Sequence, residues 1–423
     1  MNSNKKNSKK IAGFRAKSYL ISKISATASV LVLISVVILF AAGGVITQRG
    51  SSAAGIDPTT WVPSTATGAW YMNRTNISGG TIADYQQRET QFGRKFDGHM
   101  FFMHNQVVAG DFDVPHWSLA TDKVPFVMLS WGINPPSTVM ADINAGKEDA
   151  NIKFFADNVK SQLSPYGHVF IRPFYEFNIA GNPYNANNNP TVFINAWKHF
   201  VDIFRNDNVT NVKWVFDPNR VASSSTLNPV PFYPGASYVD WIAIDTYPKN
   251  QYLTPKQLVT TGDGSPGSDW YDTFKTYGKP LMVAEMAIQA SDQYGAGTPT
   301  RTVWWNTLIS DLKSLPQIRA FEYFDSNTNF NWMYDAPGTA SGDSAAQALA
   351  GAKTAINNCY LNVLAASCNA KIQGDINNDG KVNISDLSML LSDFGTANAR
   401  SDLNNDGKVT INDLSILLTN WTG

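Results

Sequence analysis

From about residue 57 to residue 358, short apolar runs alternate with amphipathic stretches of helical period. Runs rich in β-branched and aromatic residues predict strands at Gly68–Met72, Gly98–His104, Val124–Ser130, His168–Tyr175, Val212–Phe216, Trp241–Asp245, Pro280–Glu285 and Ile318–Phe324. Apolar residues three and four apart predict helices at Ile82–Phe96, Thr138–Asn144, Ile152–Ser161, Thr191–Asn206, Ser268–Thr276 and Arg301–Leu315. Strand and helix in alternation argue for a parallel sheet. Eight strands over about 300 residues suit a (β/α)8 TIM barrel, an α/β fold.

The pattern changes at both ends. Residues 26–46 form an uncharged apolar stretch about as long as a bilayer core is thick. Eight basic residues and no acid precede Asp57, seven of them ahead of that stretch. The bias orients residues 1–25 to the cytoplasm and exports the remainder of the chain. The stretch reads as an N-terminal transmembrane anchor or the apolar region of a signal peptide, with residues 47–60 as linker. The chain as a whole carries 33 basic and 34 acidic residues, so its net charge of -1 conceals a basic head on an acidic body. That balance excludes a general nucleic-acid binder. On an exported chain, Cys359 and Cys368 predict one disulfide, with free buried thiols as the alternative, in a linker over 359–373.

Residues 374–423 contain a repeat. Asp375, Asn377, Asp379, Lys381, Asn383 and Asp386 recur 27 positions later as Asp402, Asn404, Asp406, Lys408, Thr410 and Asp413. These are positions 1, 3, 5, 7, 9 and 12 of a calcium loop, with Gly380 and Gly407 at position 6. Position 7 ligates through its carbonyl, so lysine is acceptable there. Each loop runs into a short helical pattern, Leu387–Phe394 and Leu414–Trp421. The pair resembles a type I dockerin, a small all-α module. That resemblance implies two structural Ca²⁺ ions and a cohesin-type partner. The recognition positions, 10 and 11, usually hold a Ser/Thr pair; here they hold Ile384-Ser385 and Ile411-Asn412.

In a parallel barrel the chemistry sits where strands end at their C-termini. The fourth strand ends Ile171-Arg172-Pro173-Phe174-Tyr175-Glu176-Phe177-Asn178, and the seventh ends in Glu285. Strict alternation places Arg172, Phe174 and Glu176 on one face, and Glu285 in phase with Leu281 and Val283. A charge directed into a barrel must be paired or must work. Two glutamates on strands four and seven, among aromatics, point to the acid/base and nucleophile of a retaining glycosidase; the alternative is that one merely pairs with Arg172.

At these residues the chain resembles glycoside hydrolase family 26, over roughly 57–345. The resemblance rests on IRPFYEFN at 171–178, KWVFDPN at 213–219, YPGASYVDWIAIDTY at 233–247 and GKPLMVAEMA at 278–287. It implies Glu176 as acid/base, Glu285 as nucleophile, Tyr247 as a hydrogen-bond donor to the nucleophile, and Arg172 as the residue setting site charge. It implies β-1,4-mannan as substrate, with mixed-linkage glucan or β-1,3-xylan as alternatives. A non-catalytic polysaccharide-binding protein is the reading from another class. Family mannanases usually carry His before the acid/base residue; this chain has Tyr175. His104, Trp131, Asn178, Asp217, Asn219 and Trp332 are further strand-end or rim candidates for substrate contact. The chemistry requires no catalytic cofactor.

Overall fold

The computed structural model describes residues 56–422, except 65–66, 222–224, 249–250, 290–300, 327–331, 336–343, 366–367, 369–372 and 378–380. The basic head, the apolar stretch 26–46 and Asp379 lie outside the described residues. Among those described, no helix is long and apolar enough to cross a membrane.

Eight parallel strands close in sequence order: β1 (Trp70–Asn76), β2 (Gly98–His104), β3 (Phe126–Ile133), β4 (His168–Pro173), β5 (Val212–Phe216), β6 (Trp241–Thr246), β7 (Leu281–Met286) and β8 (Ile318–Ser326). β8 returns to β1 from Trp70 opposite Ala320 to Asn76 opposite Ser326. Helices α1 (Ile82–Phe92), α2 (Val139–Asn144), α3 (Asp149–Asn158), α4 (Pro190–Asn206), α5 (Pro255–Thr260), α6 (Trp270–Phe274), α7 (Arg301–Lys313) and α8 (Ala345–Ile356) belong to the same domain.

Both faces of each strand are covered, so the strands read as nearly continuous apolar runs. One side-chain set fills the barrel: Trp70, Met72, Met100, Phe126, Met128, Phe170, Val215, Trp241, Met282 and Ala284. Trp61 joins this set, and the Trp70 indole donates to its carbonyl at 2.7 Å. The alternate set packs under the helices. α4 shows how helix and barrel meet. Asn189 caps it, Pro190 opens it, and Phe193, Trp197, Phe200 and Phe204 are buried.

Several boundaries differ from expectation for identifiable reasons. α1 stops at Phe92, not Phe96, because Gly93 takes a left-handed conformation (φ 72°) and ends it. β4 stops at Pro173, because Phe174 turns left-handed at φ 58°. α5, α8 and the helical segment 109–122 are absent from the expected set: α5 and the pieces of 109–122 are short, and α8 (AAQALAGAKTAI) is built largely of alanine, which marks a face weakly by residue type.

In the C-terminal module, α9 (Ile384–Ser392) and α10 (Ile411–Thr419) bury Ile376, Val382, Leu390, Val409 and Leu417. Both helices begin earlier than the apolar pattern indicates. Loop position 9, Asn383 or Thr410, is the N-cap, and position 12, Asp386 or Asp413, completes a capping box. Cys359 and Cys368 are disulfide-bonded, with Cα atoms 5.2 Å apart.

The joint between β8 and α1 carries a buried ion pair. Arg88 donates to Asp325 at 2.7 Å, both side chains fully buried, and to Asp335 at 2.9 Å. Removing one partner of such a pair leaves an uncompensated buried charge, which costs about 3–5 kcal/mol. Asp325→Ala is therefore expected to lower unfolding stability by that amount in a denaturant titration; a loss below about 1 kcal/mol would contradict the assignment.

Candidate active site

The C-terminal end of the barrel is organised by Arg172. Its side chain points inward from β4, in phase with Phe170, and is fully buried. Nε donates to Ser130 Oγ at 2.5 Å. Nη1 donates to Asp217 Oδ2 at 2.6 Å and to both Asp245 oxygens at 2.8 and 2.9 Å. Nη2 donates to Glu285 Oε1. Its guanidinium also lies 4.9 Å from the Tyr175 ring centre and 5.6 Å from that of Phe102.

One guanidinium cannot neutralise three buried carboxylates. Burial pushes Asp245 well above the usual carboxylate range and Asp217 up to about 6, against the opposing pull of Arg172. The Asp217–Asp245 pair therefore retains a proton more readily than free aspartates would. Glu285 is held on both oxygens, by Arg172 on Oε1 and by the Tyr247 hydroxyl on Oε2 at 2.6 Å.

A β-bulge brings Glu285 into the barrel. Ile244 pairs with Val283, and the next residue, Asp245, pairs with Glu285, so Ala284 and Glu285 together oppose one residue of β6. Leu281 and Val283 pack toward the helices, whereas Met282 and Ala284 fill the interior. Strict alternation would have directed Glu285 outward, so its expected phase with Leu281 and Val283 is corrected.

Glu176 arrives by a different irregularity. It lies beyond the end of β4 and adopts φ 53°, a left-handed conformation uncommon outside glycine. Its amide donates to the Asp217 carbonyl at 2.9 Å, and its carbonyl accepts from Asn182 at 3.0 Å. These bonds clamp the backbone in place. Phe174 is corrected likewise: it packs under the helices against Trp131, Phe193 and Trp197, away from Arg172. The half-buried Glu176 carboxyl accepts from Asn219 Nδ2 at 2.5 Å. Burial first, and then the Glu285 charge, raise it to about 7, while Asn219 and Arg172 oppose the rise.

The other expected site residues divide. Tyr175 stands over Arg172. Trp332 packs against Tyr247, ring centres 4.9 Å apart. His104 is exposed, with Nδ1 2.5 Å from Asp111. Trp131 belongs to the barrel–helix layer: it is fully buried against Phe174 and Phe200 and presents no face to a sugar. Asn178 is also fully buried. It accepts from the Asn219 amide at 2.7 Å and donates to the Asn219 and Leu227 carbonyls, so it braces the loop that carries Asn219. Asp217 serves Arg172 and is not open to substrate. Sequence reasoning passed over Ser130 and Asp245; their signal was being polar in the inward phase of apolar strands.

In the tail, Asp402 accepts from the amides of Asp406 (3.1 Å) and Gly407 (2.8 Å), and Asn404 accepts from Asp406. Asp413 accepts from Leu403, Asn404 and Thr410 amides, and Asp386 does the same from Ile376, Asn377 and Asn383. Folded onto one turn, this oxygen-only donor set fits a hard cation such as Ca²⁺.

Known proteins resemble both parts. Residues 154–291 match the glycosyl hydrolase family 26 model, and residues 373–420 match the dockerin type I domain model. Endoglucanase H of Acetivibrio thermocellus is 30% identical over 288 residues, covering 64% of this chain but only 29% of that protein. This chain thus spans under a third of the curated relative's length. Among solved structures, a family 26 β-mannanase from Bacteroides ovatus has a TM-score of 0.50 at 15% identity, covering 69% of this chain and 89% of that one. A modular endo-β-1,4-mannanase from Cellulomonas fimi has a TM-score of 0.52 at 13% identity, covering 69% and 71%. At such identities the likeness shows the shared fold.

The Tyr247 hydroxyl is the one non-cationic donor to Glu285 among the described residues. A hydrogen bond to a charged group contributes about 1.5–3 kcal/mol. Tyr247→Phe is therefore expected to reduce kcat about 10- to 100-fold with the fold intact by circular dichroism. An unchanged kcat would remove Tyr247 from the site.

Proposed function

We propose that this chain, which carries a glycosyl hydrolase family 26 domain followed by a dockerin type I domain, cleaves a β-linked plant polysaccharide internally and with retention of configuration. The observation that carries the reading is the unequal treatment of two carboxyls. Glu285 is held by two donors, while Glu176 is kept protonated up to about pH 7. A retaining hydrolase requires a nucleophile held in place and an acid that keeps its proton.

In the first step Glu176 protonates the departing glycosidic oxygen as Glu285 attacks the anomeric carbon. In the second, Glu176 takes a proton from water, which releases the sugar from Glu285. Arg172 and Tyr247 hold the nucleophile and orient it. Asn219 steadies Glu176 and favours its ionised form in the second step.

For the substrate we place β-glucan first and β-mannan second. The relative at 30% identity is named an endoglucanase, whereas the mannanases are alike in fold only. Tyr175 occupies the place where family mannanases usually carry His, and its ring covers Arg172. β-1,3-Xylan is the third candidate. The dockerin domain implies work outside the cell, attached to a cohesin-bearing partner. Ile384 and Ile411, each at loop position 10, are 65% and 64% exposed, which supports an apolar docking face in both repeats. Two Ca²⁺ ions would stabilise the loops that carry them.

The decisive assay measures reducing ends released from mixed-linkage glucan, mannan and β-1,3-xylan, with the first-formed anomer read by NMR. Retention is expected, with loss of turnover in Glu285→Ala; undiminished release by that variant would overturn the roles. Because the acid must be protonated, kcat/KM is expected to fall as pH rises through about 7, the value to which Glu176 is raised. The same shift links folding to protons: this group's contribution is full below its ordinary value of 4.5 and is lost between there and about 7. A rate that climbs steadily to pH 9 would exclude Glu176 as the acid.

Chelating Ca²⁺ from the full chain is expected to lower the melting temperature of the C-terminal module while the barrel transition stays in place. A module transition that ignores chelation would contradict the loop ligands.

A further inference from the structure

A second cluster of ionisable groups lies far along the barrel from the catalytic end. His99 is the second residue of β2, at the N-terminal end of that strand, and its side chain is fully buried. Glu89 in the last turn of α1 and Asp122 at the end of the helical segment Trp117–Asp122 are buried beside it. One ligand atom from each lies within 4.8 Å of the other two.

The hydrogen bonds around His99 determine its tautomer. Ser118 Oγ has one proton, donated to the Val114 carbonyl at 3.0 Å. Toward His99 it can only accept, so the contact at 2.9 Å requires Nδ1 of His99 to carry a hydrogen. The lone pair of a neutral ring then lies on Nε2. That atom makes no hydrogen bond, although it is buried and faces Glu89 Oε1 at 3.5 Å. A lone pair set against a carboxylate repels it, and a cation between them, a proton on Nε2 or a metal ion, removes the repulsion. Asp122 Oδ2 is likewise buried without a hydrogen bond.

A cation already reaches the edge of the cluster. Lys95 Nζ pairs with Glu89 Oε2 at 2.9 Å and with Asp122 Oδ1. Its side chain is 51% exposed, so it can swing into solvent. The outer partners are those of a metal site: Nδ1–H is oriented by a hydroxyl, and Glu89 Oε1 accepts from the Phe96 amide at 3.0 Å.

We propose that Glu89, His99 and Asp122 form a structural zinc site, with Lys95 as a displaceable stand-in for the ion. One imidazole nitrogen and two carboxylates are a borderline donor set that suits Zn²⁺ better than Ca²⁺, which prefers oxygen alone. Water would complete the coordination. Groups at the N-terminal face of a barrel serve stability more than chemistry, so the ion would tie α1, β2 and the segment before β3 together.

The test uses the full chain with Ca²⁺ kept in excess, so that the C-terminal loops stay filled. Bound metal is measured after Zn²⁺ loading and gel filtration, and the barrel melting temperature with and without Zn²⁺. One zinc per chain and a raised barrel transition are expected, both lost in His99→Gln. Lys95→Ala separates this from a plain ion-pair cluster: removing the competing ammonium should tighten zinc binding at least tenfold and let Zn²⁺ restore the stability lost. Co²⁺ should give the intense visible bands of a four-coordinate site in Lys95→Ala. If His99→Gln does not fold, Lys95→Ala decides alone. No zinc retained by folded wild type and Lys95→Ala, or equal zinc in a folded His99→Gln, would overturn the site.

Discussion

Everything at the catalytic end of this barrel depends on one fully buried guanidinium. Arg172 touches β3 through Ser130, β5 through Asp217, β6 through Asp245 and β7 through Glu285. Its planar fork lets it serve four strands at once, which a lysine ammonium could not do. Buried ion pairs are weak evidence of stability, because desolvation offsets attraction. The arrangement is better understood as fixing charge: the cation is fully enclosed, and the carboxylates around it must share it.

That sharing gives the two glutamates different electrostatic surroundings. Glu285 lies against the cation and is held by Tyr247 as well. Glu176 enters from a loop, meets an amide rather than a guanidinium, and feels Glu285 as a repelling neighbour. Identical side chains thus meet different partners, and for Glu176 burial and the neighbouring Glu285 charge together raise its proton affinity.

Much of this was legible in the chain. β2 and β5 fall where alternation of residue types puts them, and the polar strand ends mark the site. Arg172, Glu285 and Tyr247 do come together. The errors of facing share one cause: a period of two holds only while a strand stays regular. It failed at Phe174 and Glu176, where left-handed residues succeed Pro173, and at Glu285, where β7 bulges. At Trp131 the alternation holds and directs the ring outward; the misassignment there arose because tryptophan suits a sugar platform and a barrel–helix seam equally well in composition. Burial alone separates those two settings. In the tail, spacing rather than periodicity carried the information, and loop positions 9 and 12 proved to start the helices as well as to offer ligands.

The bulge at Ala284 and Glu285 is one extra residue in β7, and it decides which way the Glu285 carboxylate faces. Substituting Ala284 alters packing locally. Deleting it would leave Glu285 directly after the outward-facing Val283, opposite Asp245 in regular pairing and still directed inward. The bulge is thus how a strand of this length keeps Ala284 and Glu285 both in the interior, where regular pairing of every residue would turn Glu285 into the helix layer.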